Sequence, residues 1–449
     1  MTDNSIMERS LARATDTRAC VIGEGVLAKV PSLFREHFPG MEKAIVIYDP
    51  RTKKAAGDDV AALLSAAGVE TGFYVLEPGG RIFHGDYSYV QEVAEAIKAV
   101  DAGRGETVPV AVGSGVVNDI TKRASGELDV PYFCVGTAAS VDGYSSFGAA
   151  LRSPEGAKQT YPCPAPRVIV ADLDVMPTAP DWMAASGFAD LMAKVPAGAD
   201  WILASELGAA EWHDSAWHTV QDGLKKAIGD PEGVRRMESR PLAKFVEGLM
   251  LGGFAMQDMQ SSRPASGAEH MFSHLLEMRD HTFNGEIVPH GIQVGVFTLL
   301  MCRIYEKILA FDYSRLDVEA CLAANWRTLE EEERVGAEMF AGTPFPDIGV
   351  KAVRAKFVDR EIAKARLEDF KARWPAIKER LGAQLIPSAE IERRLKVVGA
   401  PTTPEGIGSS VEATLADVRK TVYMRDRYMA LDFLAVTGQL DEFAASSFV

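Results

Sequence analysis

Short apolar runs rich in β-branched residues alternate with amphipathic stretches through the first third of the chain. The runs lie at residues 44–48, 73–76, 108–112, 132–135 and 168–170. Two of the intervening stretches, residues 58–67 and 90–100, have the apolar spacing of crossover helices. Because strands that alternate with helices are typical of a parallel sheet, the pattern predicts a Rossmann-like α/β domain that binds a nucleotide.

The pattern changes near residue 180, where Pro177 and Pro180 punctuate the chain. Beyond it the β-rich runs stop, and helical patterns follow through Leu203 and over residues 245–256, 291–310 and 418–437. We therefore predict an α/β domain over residues 1–180 and an all-helical domain over residues 181–449. The richly charged stretch 329–374 predicts a solvated helical region.

Composition restricts the classes of partner. The chain has 449 residues, of which 47% are hydrophobic, so it can bury substantial cores. Its net charge of -15 argues against a nucleic-acid partner, since binding to a phosphate backbone depends on clustered Lys and Arg.

The five cysteines are scattered and include no CxxC pair, which indicates reduced thiols rather than a disulfide framework. The N-terminal residues lack the pattern of a signal peptide, and no apolar run approaches the ~20 residues that span a bilayer. We expect a cytoplasmic protein without a membrane partner.

A glycine-rich turn follows the third apolar run. Residues 113–119 read Gly-Ser-Gly-Val-Val-Asn-Asp and open a predicted helix that continues to Ala124. Glycines permit close backbone approach and a helix N-terminus presents free amides, so this turn can hold a cofactor pyrophosphate. The turn does not have the GxGxxG spacing, and a tight strand-to-helix connection explains it equally well.

A second polar loop, residues 136–146, follows the next run. Both loops are expected at the carboxyl edge of the sheet, where ligands bind in open α/β folds. Asp49 directly follows the strand that ends at Tyr48 and is a candidate for the adenosine ribose, which would favour NADH over NADPH. The alternative role for Asp49 is a turn or helix cap.

Three of the eight histidines lie close together in the sequence, at positions 270, 274 and 290. If residues 268–278 are helical, His270 and His274 project from one face, and His290 arrives from the start of the next helix. Asp190, a carboxylate in an otherwise apolar helix, is the best further donor. Imidazoles with one carboxylate leave coordination positions open, as at a catalytic metal, and suit zinc, nickel or iron. For each histidine alone, a hydrogen-bonded core residue is the alternative.

From about residue 20 to 440 the chain resembles the glycerol-1-phosphate dehydrogenases, which belong with glycerol dehydrogenase, iron-dependent alcohol dehydrogenases and dehydroquinate synthase. Six segments carry the resemblance: 113–119, 137–144, Asp190 with Lys194 and 200–201, 263–270, 289–291, and 425–428. It implies a dehydroquinate synthase-like fold, in which a nucleotide-binding domain and a helical domain enclose a divalent ion, NAD(H) or NADP(H), and substrate.

The resemblance also implies roles for individual residues. Asp190, His270 and His290 match metal ligands, His274 matches a substrate contact, and Asp142 matches a substrate position. One helical turn after His270, His274 is placed to pass a proton to the alkoxide or to hold a substrate hydroxyl, and a hydrogen bond that fixes a metal ligand is its alternative role. The matched cofactor positions are Gly115, Val116, Val117, Asn118, Asp119, Thr137, Ala138, Ala139, Ser140 and Ser146.

The implied reaction is the reversible reduction of dihydroxyacetone phosphate to sn-glycerol 1-phosphate, a step of phospholipid metabolism. A polyol dehydrogenase acting on an unphosphorylated substrate and a dehydroquinate synthase-like enzyme are the alternatives. A noncatalytic nucleotide-binding regulator is a fourth, and retention of the three metal-ligand candidates argues against it. For the substrate phosphate, Lys194 and Arg263 are the cationic candidates, although an ion pair and a loop anchor are their respective alternatives. We also expect a homo-oligomer. The long 329–374 region and the extended N-terminus depart from the simplest family pattern.

Overall fold

A computed structural model describes residues 4–77, 83–154 and 158–448. The chain forms two compact units. Unit one comprises Met1–Leu191, Ser215–Ser262 and Val397–Gly399, and unit two comprises Met192–Asp214, Arg263–Lys396 and Ala400–Val449. The boundary at residue 180 stays a prediction; it lies where the strands of the main sheet give way to helices.

The strands are β1 (Ala19–Gly23), β2 (Lys43–Tyr48), β3 (Glu70–Val75), β4 (Thr107–Gly113), β5 (Phe133–Gly136), β6 (Ala149–Arg152), β7 (Lys158–Tyr161), β8 (Val168–Asp172), β9 (Thr282–Phe283) and β10 (Glu286–Ile287). Six of them form one sheet in the order β1-β8-β5-β4-β2-β3. All neighbours in this sheet are parallel. The sheet is therefore the doubly covered type that the apolar runs predicted, whereas β6–β7 and β9–β10 are small antiparallel hairpins.

The helices through unit one's first stretch are α1 (Asn4–Arg13), α2 (Val30–His37), α3 (Pro50–Thr52), α4 (Asp58–Ala66), α5 (Tyr87–Asp101), α6 (Gly115–Glu127) and α7 (Asp181–Met192). The chain continues through α8 (Lys194–Glu206), α9 (Asp214–Ala227), α10 (Pro231–Arg235), α11 (Ser239–Met259), α12 (Ala268–Met278), α13 (His290–Ala310) and α14 (Val318–Asn325). It ends with α15 (Leu329–Phe340), α16 (Ile348–Lys356), α17 (Arg360–Gln384), α18 (Ser388–Val398), α19 (Val411–Val422), α20 (Ala430–Thr437) and α21 (Leu440–Ala445).

Both faces of the main sheet are buried. On one face Val46 and Val110 belong to a core cluster with Phe34 of α2. On the other face Ile45 belongs to a cluster with Ile97 of α5. Successive residues of β2 thus enter opposite cores, which is why the strands read as continuous apolar runs instead of alternating ones.

The sequence patterns missed β1 and misread residues 418–437. All five residues of β1 are only half-buried, since the strand lies at the sheet edge, so its run lacks a strong apolar signal. The single helix predicted over 418–437 is wrong, because α19 ends at Val422 and α20 begins at Ala430. The new helix start is fixed by Asp432, whose carboxylate accepts the Met429 N–H at 2.9 Å.

The charged 329–374 region is helical as predicted, but it is not simply solvated. Phe370 and Trp374 of α17 are buried, and both rings pack against Tyr313, with centroids 6.0 and 4.9 Å away. Phe433 of α20 joins the same aromatic cluster. The charged side chains occupy the remaining faces of these helices, which hides the apolar anchor points in the sequence. In the described parts of the chain, no helix combines the length and the apolar content needed to cross a membrane.

Gly187 of α7 provides a test of packing in unit one. A Cβ at this position would overlap the Ala139 carbonyl oxygen and lie 2.9 Å from its carbonyl carbon. We expect Gly187→Ala to lower the free energy of unfolding by about 1–3 kcal/mol, because backbone must move to relieve the overlap. Urea unfolding measures the change.

The control is Gly382→Ala in α17, where a Cβ meets no atom within 4 Å. This variant should be stabilised by about 0.5–1 kcal/mol, the ordinary gain of Ala over Gly in a helix. If Gly187→Ala and Gly382→Ala had equal free energies of unfolding, the close backbone contact at Gly187 would be contradicted.

Candidate metal and cofactor site

Three of the predicted ligand loops begin at neighbouring strand ends of unit one. In the register of β4 and β5, Gly113 lies opposite Gly136, and the Thr137 N–H donates to the Gly113 carbonyl at 3.1 Å. Asp49 follows β2, which pairs with β4 on its other side. The expectation that these loops share the carboxyl edge of the sheet is confirmed.

The first turn of α6 has the geometry that suits an anion. The Ser114 side chain makes no capping hydrogen bond, so the first amides of the helix, at Gly115, Val116 and Val117, have no side-chain acceptor from the cap. Gly115 is also constrained, since a Cβ there would lie 3.0 Å from Cγ1 of Val141. Backbone amides are therefore the groups this turn offers to a ligand.

Several side chains in the predicted cofactor segment are engaged by protein groups. Val117 is buried in the core. The Asn118 Oδ1 accepts from the Tyr132 hydroxyl at 3.1 Å, and Asp119 lies 3.3 Å from Lys122 Nζ. These side chains hold the turn in shape, and their contact with a cofactor stays a prediction.

The second loop is folded onto itself. Thr137, Ala138 and Ala139 are buried, and the Tyr144 hydroxyl donates to the Ala138 carbonyl at 2.8 Å. The Ser140 Oγ lies 3.3 Å from that hydroxyl. The Ser146 Oγ donates to the carbonyl of Gly143 at 3.1 Å. The loop is thus held in shape by its own hydrogen bonds.

Asp49 has the capping role that the sequence offered as its alternative. Its Oδ1 accepts the N–H groups of Arg51 at 2.7 Å and Thr52 at 3.0 Å, at the start of α3. Its contact with a ribose stays a prediction.

Asp190 lies near the end of α7 and is almost completely buried. Its Oδ2 accepts the backbone N–H of Asp142 at 3.2 Å. The carboxylate is therefore tied to the same loop that carries Thr137 to Ser146. A role of the Asp142 side chain toward substrate stays a prediction.

In unit two, Asp200 fixes the start of α12. Its Oδ2 accepts the N–H of Ala268, the first residue of that helix, at 2.8 Å. Its Oδ1 accepts the Tyr305 hydroxyl at 2.6 Å and the Ala430 N–H at 3.0 Å. Burial, aided by nearby Glu269, raises the pKa of Asp200 to about 6.

The histidines each direct Nδ1 at a buried carboxylate. The distance from Nδ1 to the carboxylate oxygen is 2.8 Å for His270 with Glu269, and 2.9 Å for His290 with Glu277. For His274 with Glu277 it is 3.2 Å. A carboxylate accepts the Nδ1–H, so Nε2 carries the lone pair that a metal or a hydrogen-bond donor can use.

Asp190, His270 and His290 each offer one donor atom, and these atoms all lie within 4.8 Å of one another. The set fits a divalent ion, because one carboxylate and two imidazoles oriented by carboxylates are typical ligands of zinc or iron at sites with open positions.

His274 is outside this group of three. Burial lowers the pKa of His274 to about 3, which keeps the ring neutral. Its Nε2 lies 3.3 Å from Nη2 of Arg425, and the guanidinium is the donor. The ring therefore serves as an acceptor held between Glu277 and Arg425.

The sequence patterns assigned no role to Glu269, Glu277 or Arg425. Glu277 follows His274 by three residues on α12, so the helical spacing that paired His270 with His274 also placed a carboxylate on that face. For Arg425, no sequence signal marked a break between α19 and α20.

The two cationic candidates for phosphate differ. Arg263 anchors backbone: its Nη1 donates to the Tyr428 carbonyl at 2.8 Å and its Nη2 to the Asp200 carbonyl at 3.1 Å. These contacts give Arg263 the loop-anchoring role that the sequence offered as its alternative, and its contact with a phosphate stays a prediction. Lys194 is fully buried at the start of α8, and its role stays a prediction.

Solved structures share the fold. Glycerol dehydrogenase from Schizosaccharomyces pombe is 15% identical with a TM-score of 0.59, covering 97% of this chain and 91% of its own. Maleylacetate reductase from Agrobacterium tumefaciens is 16% identical with a TM-score of 0.58, covering 97% of each chain. A parallel-sheet domain with a helical region, the dehydroquinate synthase-like fold, is thus confirmed.

Sequence comparisons give the family. Residues 21–180 match the family described as iron-containing alcohol dehydrogenase. A relative from Bacillus licheniformis, named an NAD(P)+ glycerol-1-phosphate dehydrogenase, is 31% identical over 66% of this chain and 73% of its own length. A relative of the same name from Thermococcus kodakarensis is 31% identical over 67% of this chain and 81% of its own. The chain belongs to the glycerol-1-phosphate dehydrogenase family of oxidoreductases.

Proposed function

We propose that the protein reduces dihydroxyacetone phosphate to sn-glycerol 1-phosphate with NADH or NADPH, reversibly and with the help of one divalent ion. The observation that carries the proposal is the convergence of donor atoms from Asp190, His270 and His290 in a chain whose relatives are named for this reaction. Zinc, nickel and iron all suit such donors.

The bound ion would supply Lewis acidity to the ketone oxygen. The chain's own residues supply orientation. Glu269 and Glu277 hold the Nδ1 atoms of His270 and His290, which would leave the Nε2 atom of each ring to bind the ion. A bound nicotinamide would supply hydride for the carbonyl carbon, and the carbonyl oxygen would gain its proton from water.

The nucleotide would lie along the loops after β4 and β5. The pyrophosphate suits the backbone amides that begin α6, from Gly115 to Asp119, because a helix N-terminus favours an anion. The segment from Thr137 to Ser140, with Ser146, would form the neighbouring wall. Asp49 would meet the ribose through the carboxylate oxygen that does not cap α3.

The substrate would contact His274 and Arg425. The Nε2 of His274 is a lone-pair acceptor, which suits it to hold a substrate hydroxyl. Among the described contacts Arg425 forms no ion pair with a carboxylate, and a phosphate would neutralise its half-buried guanidinium. Arg425 is thus a further candidate for the phosphate, in addition to Lys194 and Arg263, and Asp142 remains a candidate for another part of the substrate.

The metal assignment predicts that Asp190→Asn, His270→Ala and His290→Ala each lose stoichiometric metal and nearly all turnover, because each removes one ligand. Glu277→Gln should retain all ligands but weaken metal affinity about 10–100-fold, because it loosens the His290 ring. Mass spectrometry measures the metal content, and dialysis against a weak chelator measures the metal affinity. Glu286→Gln, an exposed carboxylate in β10, is the control. Stoichiometric metal in all three ligand variants would contradict their assignment as metal ligands.

Cofactor choice tests Asp49. The variant Asp49→Asn keeps an oxygen that can cap α3 but removes the charge that repels a 2′-phosphate. We expect the kcat/KM ratio of NADPH to NADH to rise several-fold with little change in thermal stability. An unchanged ratio would leave Asp49 with its capping role alone.

A comparison of substrates with and without a phosphate tests the proposed reaction. Wild-type protein should reduce dihydroxyacetone phosphate far more efficiently than dihydroxyacetone. Arg425→Met should lower kcat/KM for the phosphorylated ketone by about tenfold or more, as expected for loss of a charge-assisted hydrogen bond, and should change dihydroxyacetone little. Lys194→Met should also reduce the preference for dihydroxyacetone phosphate over dihydroxyacetone.

Arg315→Met, which removes an exposed guanidinium, is the control and should leave both rates unchanged. Equal kcat/KM for the two ketones in the wild-type protein would contradict the proposed reaction and favour a polyol dehydrogenase.

A further inference from the structure

Unit two contains a cavity of about 310 Å³ whose lining includes none of the histidines discussed above. Most of its wall is apolar, with contributions from Trp326, Val335, Met339, Phe357, Leu367 and Val436. The volume is at the lower end of the ~300–1,000 Å³ of typical small-molecule sites. The cavity lies among α14 to α17 and α19 to α21, which include the charged region that the sequence left without a role.

The charges that line this cavity are mostly compensated within it. Lys356 pairs with Asp432 at 2.6 Å, and Arg327 pairs with Glu332 at 3.2 Å. Arg419 pairs with Asp441. Each of these six residues lines the cavity.

Arg366 of α17 is different. It lines the cavity and is half-buried, and no hydrogen bond or ion pair from its side chain occurs among the described residues. With the other pairs compensated, the wall carries one surplus positive charge beside a large apolar surface. A ligand that matches both features has an apolar body and a single anionic group.

The cavity also shares a segment with the candidate substrate site. Tyr423 and Tyr428, at either end of the break between α19 and α20, line the cavity. Between them, Arg425 contacts His274. The Tyr428 carbonyl is held by Arg263, so the segment is fixed at this end. An occupant that presses on the two tyrosines would shift the backbone that carries Arg425.

We propose that this cavity binds a small amphipathic anion, an apolar chain with one carboxylate or phosphate group, with Arg366 as its counter-ion. Occupancy changes turnover by displacing the segment from Tyr423 to Met429. The effect on turnover rests on the proposed function, whereas the binding does not.

The binding test uses calorimetry on the full chain without substrate, with decanoate, decyl phosphate and uncharged 1-decanol below their aggregation limits. Decanoate or decyl phosphate should bind with one site per chain, and 1-decanol should bind at least tenfold more weakly. Arg366→Gln should lower the affinity for decanoate and decyl phosphate by about tenfold or more, the usual loss for one charge-assisted contact. Its affinity for 1-decanol should equal that of the wild type. Arg360→Gln removes a guanidinium from the same helix outside the cavity and should bind like wild type.

A second variant, Ala435→Phe, fills the cavity from α20 and should abolish binding of all three compounds while circular dichroism and the melting temperature report its fold. Equal anion affinity in Arg366→Gln and wild type, or equal binding of decanoate and 1-decanol, overturns the site. Whichever anion binds more tightly identifies the head group.

The turnover test adds a saturating concentration of the tighter anion to the dehydrogenase assay. We expect kcat or KM of the wild type to change at least twofold and Ala435→Phe to be insensitive. Unchanged kinetics with the cavity occupied overturns the regulatory part. If dihydroxyacetone phosphate is not reduced at all, the proposed function fails, yet calorimetry still decides the site.

Discussion

The arrangement of histidines in unit two depends on one buried carboxylate, Asp200. Its two oxygens accept hydrogen bonds from the first residue of α12, from Tyr305 and from Ala430, the first residue of α20. Because a helix N-terminus leaves several amides without partners, an acceptor supplied from another helix decides where α12 can start. The start of α12 in turn decides which residues of that helix face inward.

Holding this arrangement is electrostatically costly. Asp200, Glu269 and Glu277 are all buried, and the raised pKa of Asp200 reflects the burial and the proximity of Glu269. Unpaired buried carboxylates are strongly unfavourable, so each is offset by hydrogen bonds from amides, hydroxyls or imidazoles. A fold that keeps several such groups next to histidines sacrifices stability for a defined orientation of the rings.

Sequence patterns predicted the elements whose burial is uniform. The apolar runs marked β2, β4, β5 and β8 closely because both faces of the sheet are covered. The helix α12 covers residues 268–278, the range assumed to be helical when His270 and His274 were placed on one face. The edge strand β1 was missed because half-burial weakens the apolar signal.

The remaining errors arose from tertiary contacts that spacing does not encode. Local periodicity continued through residues 423–429, but Arg263 and the Asp432 cap impose a non-helical path there. For the same reason spacing left both a phosphate contact and a loop anchor open for Arg263, which holds two carbonyls, and it left Arg425 without a role. A long cationic side chain reaches several residues in any direction, so its partner is decided by the fold.

The hydrogen bond from the Asp142 amide to Asp190 has a consequence for how ligands communicate. The loop that carries Asp142 begins directly after β5, and α7 packs against it at Gly187 without room for a side chain. A ligand that stabilises one conformation of this loop therefore also stabilises one position of the Asp190 carboxylate. If a ligand on the loop changes the affinity of Asp190 for its own ligand by some factor, a ligand on Asp190 must change the affinity of the loop for its ligand by the same factor. Two occupants that never touch would thus be coupled through a single backbone amide.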